Sequence, residues 1–207
     1  MNTLIAVPCM DQVPAPFAQA LSMLTKVDAC AVSFNIGSLI YASRDQLAKR
    51  AIEMGADYVF WLDSDMTFSP DTLERMFANK DKGDIITGLY FRRVPPFTPV
   101  LFSKLEIDEE QRCTWEEPAE IPDEPFEVAG CGFGCVLMPT DIFIDVQSRY
   151  NAMFTPIGGT GEDLAFCWRA RQLGFKIICD PSIQLGHVGH HVITRGFYDA
   201  YKGAKKK

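Results

Sequence analysis

The strongest constraint on the fold is an uninterrupted apolar run, Tyr58-Val59-Phe60-Trp61-Leu62, which is followed directly by Asp63-Ser64-Asp65. A run without polar alternation is typical of a strand buried on both faces, as in a parallel sheet. Open α/β sheets bind ligands at the carboxyl ends of such strands. Because side chains at positions i and i+2 of a strand point the same way, both carboxylates are expected to face one point. Two anions this close favour a divalent cation between them, although solvated loop acids or a helix cap would give the same pattern.

Strand and helix patterns alternate along most of the chain. Apolar segments predict strands at 4–7, 29–34, 58–62, 84–91 and 175–179. Helical spacing and cap signals predict helices at 16–25, from Ser43 as N-cap to Met54, from Ser69-Pro70-Asp71 onward, at 141–149 and at 162–173. This alternation predicts an α/β fold with a mostly parallel central sheet flanked by helices.

Two segments depart from the alternation. Residues 92–127 are rich in proline and acidic residues, which predicts a small antiparallel insertion of short strands and loops over one edge of the site. Gly130, Gly132 and Gly134 then alternate with larger residues, which indicates that another group approaches the backbone closely. Asp180-Pro181 is expected to form a turn, and residues 202–207 a flexible basic tail.

Size and composition favour one globular, intracellular domain spanning residues 1–207. The net charge of −7 and the pI near 5.0 argue against nucleic acid or an anionic membrane as the main partner. An anionic nucleotide can still bind if a metal supplies positive charge. Seven cysteines without a C-x-x-C pair fit a reducing compartment. Apolar runs are too short to span a bilayer, so we expect a soluble cytoplasmic protein without a membrane span.

Three groups of residues are candidates for chemistry. Asp63 and Asp65 are the predicted cation site. Glu162 and Asp163 follow Gly158-Gly159-Thr160-Gly161 at the start of a predicted helix, where acids stabilise the helix dipole or supply a general base. His187 would add a ligand to a cation held by the acid pair, and His190 and His191 are rivals for that role.

The segment Asp63-Ser64-Asp65-Met66-Thr67 also fits the D-x-D-x-T start of haloacid-dehalogenase-type phosphatases, in which Asp63 would be the nucleophile. That family places its motif on the first strand, whereas two predicted strands precede it here. A non-catalytic nucleotide-sugar-binding protein is a further alternative.

The order of these motifs resembles the GT-A-fold glycosyltransferases (the fold of nucleotide-diphospho-sugar transferases), and most of all the family-two inverting enzymes. It comprises a first strand ending in Pro8, Ser43-Arg44 on a helix, the apolar strand with Asp63-Ser64-Asp65, a glycine-rich strand, Glu162-Asp163 opening a helix and a late His187. The resemblance covers roughly residues 3–190. The chain departs from the family at Phe34-Asn35, where a nucleobase-contacting aspartate usually ends the second strand.

The resemblance implies a metal-dependent transfer of a sugar from a nucleotide sugar, with a UDP-sugar favoured, to an unknown hydroxyl acceptor. The metal, Mn²⁺ or Mg²⁺, would be bound by Asp65 and His187, while Asp63 would act through water or the ribose. Asp163 would be the catalytic base and Glu162 would assist acceptor binding. The nucleotide pocket would be lined by Pro8, Cys9, Asp11, Arg44, Asp63 and Ser64.

Overall fold

A seven-stranded sheet forms the centre of the protein in the computed structural model, which describes residues 2–27, 29–37, 39–189 and 192–204. Five of its strands run parallel to one another and two run antiparallel, so the predicted mostly parallel sheet is confirmed. In order across the sheet, the strands are β2 (Ala29–Ile36), β1 (Asn2–Cys9), β3 (Tyr58–Leu62), β11 (Cys135–Pro139), β5 (Ile85–Leu89), β12 (Ile177–Gln184) and β9 (Phe126–Val128).

The apolar run of the sequence forms β3, near the middle of this sheet. Val59, Phe60, Trp61 and Leu62 are completely buried, as expected for a strand covered on both faces. β3 pairs in parallel with β1 on one side and antiparallel with β11 on the other. The sequence did not indicate that β11 inserts antiparallel between β3 and β5, because strand pairing depends on contacts distant in sequence.

Helices cover the sheet within the described residues. They are α1 (Ala15–Met23), α2 (Ile40–Glu53), α3 (Thr72–Ala78), α4 (Asp141–Tyr150), α5 (Glu162–Gln172) and α6 (Arg195–Ala204). None of these helices has the length and hydropathy needed to cross a bilayer.

Three local predictions were wrong. Ser43 is not an N-cap, since α2 begins at Ile40 and buries Ser43 within it. The predicted turn at Asp180-Pro181 is part of β12, whose pairing with β5 becomes irregular between Asp180 and Gln184. The predicted flexible tail is helical as far as Ala204, because α6 packs aromatic side chains against Phe91 and Phe97. Lys205–Lys207 lie outside the described residues.

The segment 92–127 forms short strands and loops, as predicted. β7 (Lys104–Ile107) and β8 (Cys113–Glu116) make an antiparallel hairpin. β6 (Leu101–Phe102) pairs antiparallel with β10 (Gly130–Cys131), and β9 extends the edge of the main sheet. On another side, β4 (Met66–Thr67), β13 (Gly186–Val188) and β14 (Val192–Ile193) form a small antiparallel sheet that brings the late part of the chain beside Asp65.

The glycine-rich segment lies against the ring of Tyr90. A Cβ atom on Gly132 would stand 2.1 Å from the Tyr90 hydroxyl, and one on Gly134 would stand 2.8 Å from the ring. The Gly134 amide donates a hydrogen bond to that hydroxyl over 3.2 Å. The close approach predicted from the alternating glycines is therefore that of a buried tyrosine.

We expect Gly132→Ala to lower the free energy of unfolding by about 1–3 kcal/mol, because the new methyl group would overlap the Tyr90 side chain. Gly203→Ala is the matched control, since a Cβ at Gly203 meets no neighbour in helix α6. The control should be neutral or stabilising by up to about 1 kcal/mol. Urea denaturation measures both values, and equal stabilities for the two variants would contradict the packing described.

Candidate active site at the carboxyl ends of β1 and β3

Asp63 and Asp65 lie in a tight turn directly after β3. The Met66 amide donates a hydrogen bond to the Asp63 carbonyl oxygen over 3.1 Å, which closes the turn before β4. The strand ends at Leu62, so the two carboxylates extend from the turn and not from a strand face, although both line the same cavity, as predicted. Each carboxylate has different partners, because the turn reorients the backbone between them.

Arg44 holds Asp63 from the buried side. Its Nη2 donates to Asp63 Oδ1 over 2.8 Å and its Nε donates to Glu162 Oε1 over 3.2 Å. The guanidinium also lies over the rings of Trp61 and Phe133, at 5.6 and 5.3 Å from their centres. Only 3% of the Arg44 side chain is exposed. Burial alone would lower the pKa of Arg44, but the neighbouring carboxylates raise it overall, so the side chain is a permanent cation.

Asp65 is contacted by two nitrogen groups at the same oxygen. Arg93 Nη1 lies 2.6 Å from Asp65 Oδ2, and His187 Nε2 lies 3.3 Å from it. Burial alone would raise the pKa of Asp65, but the hydrogen bond and charge of His187 and the charge of Arg93 lower it overall. The predicted meeting of Asp65 and His187 is therefore present, although the two residues are far apart in sequence.

A hydrogen bond from the His187 ring determines which of its two nitrogens carries a proton. Nδ1 is 2.9 Å from the Phe91 carbonyl oxygen, which can only accept a hydrogen bond, so Nδ1 carries a proton. In the neutral ring Nε2 is then an acceptor that faces a carboxylate. The pair is stable if the ring is protonated or if a cation lies between the two groups. Burial alone would lower the pKa of His187, but hydrogen bonds to Asp65 and Phe91 raise it overall.

Glu162 and Asp163 form the first turn of α5, as predicted. Glu162 binds Arg44, whereas the Asp163 carboxylate accepts a hydrogen bond from the Leu164 amide over 2.8 Å. Burial, followed by the charge of Glu162, raises the pKa of Asp163 to about 6, and Arg44 opposes the shift. A carboxylate with this pKa is a suitable general base near neutral pH.

These side chains meet in one open cavity of about 760 Å³. Nine of the predicted site residues line this cavity, and His187 is not among the lining residues but contacts Asp65. They are Pro8, Cys9, Asp11, Arg44, Asp63, Ser64, Asp65, Glu162 and Asp163. Of the rivals for the ligand position, His190 and His191 lie outside the described residues.

The sequence analysis missed Arg93, which lines the same cavity. The pair Arg92-Arg93 could have indicated it, because it follows β5 closely. The carboxyl ends of β3 and β5 lie at the same edge of the sheet. The proline-rich composition of the segment concealed it.

The described residues include no group of three or more His, Cys, Asp or Glu side chains that could hold a metal ion. Asp63 binds Arg44 through Oδ1, whereas Asp65 and His187 form a close pair of a carboxylate and an imidazole. Two ligands at right angles on an ion, each at about 2.1 Å, are about 3 Å apart. The 3.3 Å between Asp65 Oδ2 and His187 Nε2 fits that requirement.

The glycine loop before α5 is supported by the tip of the β7–β8 hairpin. Gly158 has a positive φ of 55°, and a Cβ there would stand 1.4 Å from the Gln111 carbonyl oxygen. Only glycine fits this position. The hairpin and the loop leading to Asp163 are therefore in direct contact.

We expect Arg44→Met to lower the free energy of unfolding by about 3 kcal/mol, because two carboxylates lose their buried partner. Lys49→Met on the exposed face of the same helix is the matched control and should change stability by less than about 0.5 kcal/mol. Chemical denaturation at neutral pH gives both values. A loss for Arg44→Met no greater than that of the control would refute the role of this ion pair.

Neither a protein-family model nor a curated protein sequence matches the chain. Among solved structures, A197 from STIV is similar with a TM-score of 0.69 and 17% identity over 94% of each chain. GalNAc-T7, a GT-A-type glycosyltransferase solved with UDP, GalNAc and Mn²⁺, is similar with a TM-score of 0.61 and 11% identity. That match covers 91% of this chain and 43% of GalNAc-T7, so this chain spans less than half of that structure. These similarities, together with the mostly parallel sheet, support a GT-A-like fold.

Proposed function

We propose that this protein is a metal-dependent inverting glycosyltransferase of the family-two type. It would transfer a sugar from a nucleotide diphosphate donor, with a UDP-sugar favoured, to a hydroxyl acceptor. The observation that carries the proposal is the meeting of Asp65 with His187 at a cavity that Asp163 also lines. The distant fold similarity to GalNAc-T7 agrees with it.

The charge of the cavity supports a divalent cation as part of the proposal. Among the described lining residues, Asp11, Asp63, Asp65, Glu162 and Asp163 are acidic, whereas Arg44 and Arg93 are basic. Such a cavity repels a diphosphate unless additional positive charge accompanies it. Asp65 and His187 would hold Mn²⁺ or Mg²⁺, an ion that commonly completes its coordination with substrate phosphates and water. An ion held there would supply positive charge for the departing diphosphate.

The protein side chains divide the remaining tasks. Arg44 fixes Asp63 at the cavity wall, where Asp63 would bind the ribose directly or through water. Pro8, Cys9, Asp11 and Ser64 would contact the nucleoside. Glu162 would help orient the acceptor while it remains bonded to Arg44.

Asp163 would act as the base. Its carboxylate would accept the proton of the acceptor hydroxyl while that oxygen attacks the anomeric carbon and the bond to the diphosphate breaks. A single displacement of this kind inverts the anomeric configuration. The phosphatase alternative would use Asp63 as the nucleophile, and it would have to react while Oδ1 of that carboxylate is bound by Arg44.

The donor and metal assignments are tested by incubating the protein with a panel of nucleotide sugars and Mn²⁺ while measuring nucleoside diphosphate release. We expect slow hydrolysis of the preferred donor, its loss in a chelator, and a decrease of about 100-fold in Asp65→Asn. Asp81→Asn, an exposed acid after α3, is the control and should retain full activity. Release of inorganic phosphate from phosphomonoesters would favour the phosphatase, and donor binding without turnover would favour a non-catalytic binding protein.

The base assignment has a separate test in the pH dependence of transfer. Because a base must be ionised, kcat/KM of the wild type should fall about tenfold per pH unit below about pH 6, the pKa of Asp163. Asp163→Asn should reduce transfer by about 100-fold or more while leaving nucleotide affinity nearly unchanged. Full transfer activity in Asp163→Asn would remove Asp163 from the mechanism.

A further inference from the structure

Arg93 occupies the position at Asp65 that a cation would take. Its Nη1 is 2.6 Å from Asp65 Oδ2, the same oxygen that His187 Nε2 approaches, and 3.5 Å from the Val188 carbonyl oxygen. A guanidinium at that distance occupies the oxygen that would bind the ion, and its charge would repel a second cation there. Arg93 and a divalent cation therefore compete for Asp65.

The Arg93 side chain can leave this position at little cost. Half of its side-chain surface is exposed (51%), against 24% for Asp65, so water screens the pair from the arginine side. The backbone around it is anchored, because the Arg92 amide donates to the Thr98 carbonyl and the Phe97 amide donates to the Val94 carbonyl, each over 2.9 Å. Departure from Asp65 therefore requires only side-chain rotations.

The freed guanidinium would remain in the cavity. Arg44 and Arg93 are the two basic side chains among the described lining residues, and Arg44 is already bound to Asp63 and Glu162. A metal ion that binds Asp65 would therefore leave Arg93 without its carboxylate partner. A guanidinium without a carboxylate partner presents a planar set of donors that matches two phosphate oxygens.

We propose that Arg93 exchanges partners during donor binding. In the ligand-free protein it neutralises Asp65, a divalent cation displaces it, and its guanidinium then binds the diphosphate that accompanies the cation. This inference rests on the proposed function, and it adds that cation and diphosphate bind cooperatively through one arginine. Removing Arg93 must then have opposite effects on the two ligands.

The test measures binding rather than turnover. The affinity for Mn²⁺ alone is obtained by electron paramagnetic resonance of the free ion. The affinity for UDP, GDP, ADP and CDP at saturating Mn²⁺ is obtained by calorimetry, and the tightest ligand of the wild type is carried forward. In Arg93→Gln, Mn²⁺ should bind about fivefold more tightly, because its competitor is gone. The nucleoside diphosphate should bind about tenfold more weakly, because a charged donor is lost.

Two further variants make the result specific. Arg93→Lys keeps the competing charge but not the planar fork, so its Mn²⁺ affinity should stay near that of the wild type while diphosphate binding weakens. Arg149→Gln removes an exposed arginine that does not line the cavity, and should change neither affinity. Thermal melting checks that all variants are folded.

The outcomes separate this inference from the function on which it rests. If the wild type binds neither Mn²⁺ nor any of the four nucleoside diphosphates, the proposed function fails and the exchange fails with it. If the wild type binds both, but Arg93→Gln leaves Mn²⁺ affinity unchanged or weakens both ligands together, the exchange alone is refuted. Opposite changes in Arg93→Gln support it.

Discussion

The buried guanidinium of Arg44 is the interaction on which the arrangement of the site depends. It joins the turn after β3 to the first turn of α5, two segments about a hundred residues apart in sequence, through Asp63 and Glu162. A charge this deeply buried is tolerated only with paired carboxylates, and the faces of Trp61 and Phe133 complete its surroundings. The same contacts hold the first turn of α5, which includes Asp163, so the two ion pairs of Arg44 set the distance between the two sides of the cavity.

The two arginines of the cavity differ in a way that follows from burial. Arg44 is enclosed by aromatic rings and binds two carboxylates, which makes it part of the framework. Arg93 is half exposed and binds the partly buried Asp65, so water competes for the guanidinium. Arg44 is therefore a fixed cation beside Asp63, whereas Arg93 is an exchangeable cation beside Asp65.

Much of the fold was predictable because its signals are local. The apolar run of β3, the start of α5 at Glu162 and the alternation of the glycines at 130–134 are all patterns of neighbouring residues, and the structure confirms them. The antiparallel insertion of β11 and the continuation of β12 through Pro181 depend on strand pairing, which single-sequence periodicity does not contain. At the site, the residue types predicted that the acids share a cavity. The partner of each carboxylate depends on the turn after β3 and on the position of Arg93, and neither produces a periodic pattern in the sequence.

The contact between the Gln111 carbonyl and Gly158 links two parts of the chain that serve different purposes. The hairpin tip lies in the acidic insertion, while Gly158 lies in the loop that leads to Asp163 in α5. Any change in the length of the hairpin would shift the loop as well. The length of the hairpin and the placement of Asp163 are therefore linked, and a chain with a longer or shorter hairpin must also remodel residues 155–161.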